Sequence, residues 1–379
     1  LARRAKPQAQ EEFAELSAYA RDELGIETLN PWDVAYASEK LREARYAISQ
    51  EQLRPYFPAP RVVDGLFQVV ERLYGVQVTE DSSAPSYHDD VRFFRITEQG
   101  TPIAGFYLDL YAREGKRGGA WMADCRVRRK TENGVQLPVA FLTCNFTAPV
   151  GGKPALLTHD EVTTLFHEFG HGLHHMLTKQ EVADVSGING VAWDAVELPS
   201  QFMENYCWER EGLDLLAKHV DTGEPLPDVL FERLQAAKNF QSAMGMVRQI
   251  EFSLFDLRLH HELEAPSASD VQALLDDVRR QTSVVPVVDF NRFQNSFSHI
   301  FAGGYAAGYY SYKWAEVLSA DAWSAFEEAG IFDPTTGQRF REEILEQGGA
   351  RDAAELFRAF RGREPSVEPL LRHSGIRAA

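Results

Sequence analysis

The chain is poor in cysteine and in basic residues, and it has no long apolar run. Three cysteines, Cys125, Cys144 and Cys207, stand among 379 residues. Their spacing fits no C-x-x-C metal or redox motif, and three thiols cannot all pair within one chain. That excludes a disulfide framework and points to reduced, mostly buried thiols in a reducing compartment, so a cytoplasmic location is expected. No apolar stretch is long enough to cross a bilayer as a helix. Lys and Arg number 39 against 56 Asp and Glu, a formal net charge of −17 at pH 7. A basic deficit of that size argues against a nucleic-acid-binding surface and against binding to acidic membranes. Internal repeats, low-complexity tracts and flexible linkers are missing as well. The first residue is Leu1 and not methionine, so a targeting segment would lie upstream of it.

What is present is an ordinary globular composition, with 44% hydrophobic and 25% charged residues. The length exceeds one typical core and predicts two lobes or one large catalytic domain. Residues 1–80 read as a helical lead-in. Helices are expected over 8–24 up to Gly25, over 33–48 after the Asn30-Pro31 turn, and over 62–74 up to Gly75. From Val91 the period changes to two. Short aromatic and β-branched runs at 91–97, 103–110, 119–127 and 139–146 are bounded by Gly100-Thr101-Pro102, by glycines between 115 and 119, and by Asn133-Gly134. They predict a small twisted sheet, which with the helix that follows fills 91–178. Residues 179–379 read as mainly helical, with one long element over 228–263. The fold class is predominantly α, an α+β arrangement with one small sheet.

The helix after the sheet carries His167-Glu168-Phe169-Gly170-His171, an H-E-x-x-H motif. Thr158 and Glu161 form a capping box at its expected start. Val162, Leu165, Phe166, Phe169, Leu173, Met176 and Leu177 then recur at helical spacing as one apolar stripe. His167 and His171, at i and i+4, fall opposite that stripe and one turn apart, so both imidazoles can reach one metal ion. Glu168 points beside the pair, where it can touch a water on that metal without being a ligand. A solvated face is usually rich in Lys, Arg and Glu. This one holds Thr164, His167, His171 and His175 around a single Glu, as the floor of a cleft would.

A catalytic zinc needs a third protein ligand and one open position. A histidine six residues after the second motif histidine is one solution, but Leu177 stands there. His174 lies nearly two turns from His167, too far to converge on an unbroken helix, so His174 and His175 read as supporting or packing residues. The alternative is a glutamate from a later segment: Glu181, Glu197, Glu204 or Glu209. Spacing and context favour Glu197, which follows the glycine-bearing connection at 186–190 and precedes Leu198-Pro199-Ser200. The His260-His261 pair and His159-Asp160 read as ordinary helix residues rather than a second metal site.

Leu165-Phe166-His167-Glu168-Phe169-Gly170-His171-Gly172-Leu173-His174-His175, then Ser186-Gly187, then the run from Asp194 to Asn205 resemble the thimet-oligopeptidase (M3) family of zinc peptidases. Segments at 106–125, 297–314 and 361–365 extend the resemblance over almost the whole chain. It implies a zincin-like catalytic domain, one zinc ion on His167, His171 and Glu197, and Glu168 as general base. The segment from His299 to Tyr312 matches the family's glycine- and tyrosine-rich substrate loop. His299, Tyr305 and Tyr312 match the groups that hold the scissile peptide, with Tyr309 a weaker match. Tyrosine hydroxyls and imidazole N–H groups are suitable donors for a developing oxyanion. The spacing of Tyr305, Tyr309 and Tyr312 would align them on one side of a helix, and Gly303, Gly304 and Gly308 would let the segment close over a substrate.

The resemblance therefore implies a metallopeptidase acting on internal bonds of short peptides. Two alternatives stay open: a peptidyl-dipeptidase, or a non-catalytic, metal-stabilised peptide-binding module. Family members carry a large helical portion ahead of the matched segment. This chain begins inside the family's pattern, so the missing N-terminal half is an expected partner and apolar surface is expected to be exposed.

Overall fold

The computed structural model describes residues 1–377. They form two compact units, one of residues 1–48, 232–317 and 367–377, the other of residues 49–231 and 318–366. No helix among the described residues is long and apolar enough to cross a membrane. Predominantly helical structure around a small mixed sheet agrees with the fold class read from the sequence.

The sheet lies in the second unit. Its strands are β1 (Gln77–Glu80), β2 (Arg92–Glu98), β3 (Thr101–Tyr111), β4 (Trp121–Arg126) and β7 (Val139–Phe146), in the order β1-β2-β3-β7-β4. Only the β3–β7 pair is parallel. Strand β4 therefore closes one edge. A separate hairpin of β5 (Arg129–Thr131) and β6 (Gly134–Gln136) turns through Glu132 and Asn133, with Gly134 opening the second strand. Phe94, Phe106, Leu108, Ala140 and Leu142 are buried along β2, β3 and β7. Against them packs helix His159–Met176, which carries the motif. Its apolar stripe is buried from Val162 to Leu177 as the periodicity requires, and its capping box is formed in both directions. Phe169, the first variable residue of the motif, is the anchor. Its ring lies 5.3 Å from Phe106 and 6.0 Å from Phe67 of helix Ala59–Tyr74.

In the first unit, helix Ala2–Leu24 packs along helix Ser242–Glu262, which packs on helix Ala268–Thr282. Phe255, Leu275, Val278, Phe297 and Ile300 form a core there.

The structure corrects several sequence expectations. The long element expected over 228–263 is two helices, Asp228–Ala237 and Ser242–Glu262. Gln241, with φ 54°, adopts a left-handed conformation between them, which a continuous helix cannot contain. The first helix begins at Ala2 and runs through Pro7, although 8–24 was expected. A proline this near the start removes one early hydrogen bond without ending the helix. Strand β1 is mostly exposed at a sheet edge and carries no apolar alternation that could announce it.

Because Phe169 seats the motif on the sheet, Phe169→Ala should destabilise the fold by about 3–5 kcal/mol, as cavity-forming aromatic truncations do. Phe169→Leu should cost clearly less. Denaturant unfolding of the three proteins measures both; equal midpoints would show that the ring is not an anchor.

Candidate metal centre

Two backbones must come close before the motif can acquire a third ligand. Gly170 provides the opening. A Cβ at that position would sit 2.5 Å from Pro199 O and 2.5 Å from Ser200 Cα, so only glycine fits. The chain between the motif helix and Pro199 reverses through Gly187 (φ 66°), where a Cβ would lie 2.7 Å from His175 Nδ1. The result is that Glu197, at the junction of the short helices Trp193–Val196 and Leu198–Glu204, faces the two motif histidines. Its Oε2 lies 3.3 Å from His167 Nε2 and 3.2 Å from His171 Nε2. One ligand atom from each of His167, His171 and Glu197 falls within 4.8 Å of the others, the only such group of three among the described residues.

His167, Glu197 and the neighbouring Glu168 are each held from behind. His167 Nδ1–H donates to Glu204 Oε1 at 2.6 Å, which fixes the tautomer and turns Nε2 toward Glu197. Ser200 Oγ–H donates to Glu197 Oε2 at 2.9 Å. Glu168 is 7% exposed, and the backbone of Met122 on edge strand β4 hydrogen-bonds to it. Burial raises the Glu168 carboxyl above its ordinary value, against the opposing influence of the two histidines. That is the direction a general base working near neutrality needs. Burial also opposes the charged forms of His167 and Glu197. Their mutual hydrogen bonds, with Glu204 helping, outweigh it: His167 is lifted to about 10, and Glu197 is held well below the carboxylate range. A proton is therefore bound tightly among these atoms. The donor set of two imidazole nitrogens and one carboxylate oxygen suits a divalent cation taking that proton's place.

The other histidines and glutamates considered from the sequence sort out accordingly. His174 is buried and pushed down to about 3, so it is neutral. His175 is fully buried, with Nε2 2.9 Å from Arg126 O. Both are packing residues. Glu181 pairs with Arg128. Glu204 lies outside the triad and accepts from His167, a contact that the sequence pattern does not mark because it depends on the approach at Gly170. Of the three thiols, Cys144 and Cys207 are buried and Cys125 is exposed, all free.

His299, Tyr305 and Tyr312 belong to the first unit, whereas the metal triad belongs to the second. Within the first unit the three are neighbours. Tyr305 and Tyr312 hydroxyls are 3.3 Å apart, and the His299 ring is 6.0 Å from Tyr305. Tyr305, Tyr309 and Tyr312 do not share a helix as their spacing suggested, because the helix begins only at Ser311. Ala307 is left-handed (φ 58°), and its N–H and that of Tyr309 donate to Asp256 at 2.8 and 2.9 Å. Asp256 is fully buried and also meets His260 Nδ1 at 3.0 Å. It anchors the loop, and nothing in its local sequence signals that. Tyr309 donates to Gln249 at 3.0 Å and is mostly buried, in keeping with its weaker match.

A helix that presents two histidines and a glutamate, with a second glutamate from the next segment, is the arrangement of metallopeptidases. The sequence profile of peptidase family M3 matches residues 1–376, and the chain belongs to that family. Oligopeptidase A of Haemophilus influenzae is 57% identical over 378 residues, which cover 99% of this chain and 56% of that protein. Oligopeptidase A of Escherichia coli is 56% identical, covering all of this chain and 56% of that protein. Dipeptidyl carboxypeptidase of Escherichia coli is 37% identical, over 98% and 55%. The chain thus spans about half the length of the curated relatives it matches. The solved structure of PZ peptidase A with an inhibitor shares the fold, with TM-score 0.58 and 17% identity over 99% of this chain and 56% of that one.

Two predictions follow from the ties among these groups. Glu204→Ala should weaken metal affinity by about 10–100-fold, the usual cost of losing such a support, while Glu204→Asp should lose less. Competition against a chromogenic chelator reads both, and unchanged affinity in Glu204→Ala would reject the positioning role. The second concerns pH. A group raised in the folded state contributes stability that is complete below its unfolded value, 6.5 for His167, and is lost as pH rises through about 10. The metal-free chain should therefore lose stability across that window, and metal affinity should rise, since binding expels the proton. Thermal melts and metal titrations from pH 6.5 upward test this; a pH-independent affinity would contradict it.

Proposed function

We propose that this chain is the catalytic portion of a zinc-dependent oligopeptidase that hydrolyses internal bonds of short peptides. The observation that carries the reading is the triad of His167, His171 and Glu197 with buried Glu168 on the same helix. A divalent cation held by those three residues, zinc in this reading, would polarise the scissile carbonyl and make an attacking water more acidic. Glu168 then accepts a proton from the water and returns it to the leaving amine, so no acyl-enzyme forms. Its raised pKa suits both halves of that transfer. Edge strand β4, whose Met122 backbone meets Glu168, is assigned the extended substrate, paired by strand addition. His299, Tyr305 and Tyr312 are assigned as hydrogen-bond donors to the carbonyl oxygen. The substrate class rests on the relatives' names and on family membership. The segment that those longer relatives carry beyond the matched half is assigned as the partner of this one. Trp32, Tyr36, Phe290, Phe301 and Trp314, all exposed, are candidates for surface it would cover.

The dipeptidyl carboxypeptidase relatives support a second reading, in which dipeptides are removed from the C-terminus. A C-terminal amide separates the two, since it blocks that activity and leaves internal cleavage intact.

An internally quenched peptide with an amidated C-terminus, incubated with zinc-loaded protein, provides the test. Cleavage that a chelator stops is expected. Glu168→Gln should lower kcat by at least about 10²-fold, the range of general-base contributions, with metal still bound. A Glu168→Gln protein that cleaves as well as its parent would refute the assignment. Bound zinc without any cleavage would favour a binding module.

A further inference from the structure

A cavity of about 540 Å³ lies wholly within the first unit, lined by residues of helix Ser242–Glu262, helix Ala268–Thr282 and the connection at 283–288. Its size is that of a small-ligand pocket. Met244, Val247, Val285 and Val288 supply an apolar wall. The polar lining includes an ion pair taken out of water. Glu251 is fully buried and Arg279 is 6% exposed. Arg279 Nε donates to Glu251 Oε1 at 3.1 Å, and Arg248 Nη1 donates to the same oxygen at 2.7 Å. Arg279 Nη2 donates to Asn291 Oδ1 at 2.9 Å.

These bonds use only part of the pair's capacity. Glu251 Oε2, Arg279 Nη1 and Gln241 Nε2 are buried and have no hydrogen-bond partner, and all three residues line the cavity. An acceptor and two donors left unmet in a desolvated place are costly, at about 1–3 kcal/mol each. An aliphatic ligand would leave them unmet, and water alone would leave the apolar wall without a partner.

We propose that this cavity binds a small zwitterion with an apolar side chain, a free α-amino acid of the leucine or valine type. Its carboxylate takes the two donors, Arg279 Nη1 and Gln241 Nε2. Its ammonium donates to Glu251 Oε2. Its side chain lies on the valine and methionine wall. Occupation ties helix Ser242–Glu262 to the 283–288 connection through one molecule. The site is independent of the peptidase reading, since none of its groups belongs to the metal triad.

Titration calorimetry of the chain with L-leucine tests the proposal, with leucinol and N-acetyl-leucine as probes lacking the carboxylate and the ammonium. Leucine should bind saturably, with a Kd of about 1 mM or tighter for so small a ligand. Each truncated probe should bind at least about tenfold more weakly, because it strands a buried partner. Breaking the ion pair could unfold the unit, so the protein variant is Gly245→Leu. Gly245 lines the cavity, an added Cβ there meets nothing within 4 Å, and leucine favours a helix over glycine. That variant should melt no lower than its parent and lose leucine binding. Absence of saturable binding, equal affinity for all three probes, or undiminished binding to Gly245→Leu would each overturn the proposal.

Discussion

The motif helix and the segment that carries Glu197 touch backbone to backbone at Gly170, where a Cβ would sit 2.5 Å from Pro199 O. The grouping of His167, His171 and Glu197 depends on that contact. Glu197 lies only two residues before Pro199, so the approach fixes how near its carboxylate comes to His167 and His171. The two variable positions of the motif thus divide the structural labour. Phe169 binds the helix to the sheet, and Gly170 admits the chain that carries Glu197. His167, Glu168 and His171 are left facing the opposite way, as the 3.6-residue repeat requires. A small side chain would not serve at 170, since even a methyl group would collide with main-chain atoms that cannot swing aside.

Concentrating two carboxylates and two imidazoles in a partly buried place is unfavourable by desolvation alone. The structure offsets this by giving the groups to one another. Glu197 accepts from both histidines and from Ser200, His167 donates to Glu204, and Glu168 meets the Met122 backbone. Groups fixed from behind also lose less freedom when a cation or substrate arrives, which is the advantage of preorganisation. The raised carboxyl of Glu168 and the depressed one of Glu197 show how environment separates two chemically identical groups. Glu168 has one backbone donor and burial. Glu197 has two imidazoles.

Features written in local periodicity were legible in the sequence. The capping box at Thr158, the apolar stripe and the opposing histidines needed only the geometry of one helix, and four strands of the sheet were bounded by their glycines and prolines. Glu197 was legible in part, because a glycine-bearing connection and a proline flank it. Glu204 and Asp256 were not legible. Each is an acidic residue on a helix, a common occurrence on solvated faces, and only long-range approach makes one a support for His167 and the other a buried anchor. The break at Gln241 escaped for a related reason. Glutamine carries no turn signal, yet Gln241 adopts a left-handed conformation between the two helices. Tyr305, Tyr309 and Tyr312 show the reverse error. Their helical spacing is real, but Tyr305 and Tyr309 precede the helix, and the turn at Ala307 gathers the rings instead.

Asp256 and Glu204 share a property that explains why a carboxylate stands at each place. An ionised carboxylate only accepts, and it accepts on both oxygens. Asp256 uses one oxygen for the Ala307 N–H and the other for the Tyr309 N–H, with His260 beside them. An amide would offer one acceptor and place an N–H against the second donor. Glu204 faces an imidazole N–H, where an acceptor-only group holds a single tautomer and an amide could face either. The metal triad and the tyrosine loop thus rest on acidic residues that touch neither metal nor substrate in the proposed chemistry. Part of the acidic excess of this chain is used internally, as acceptors that orient other groups, so its net charge of −17 is not by itself a measure of the surface it offers to ligands.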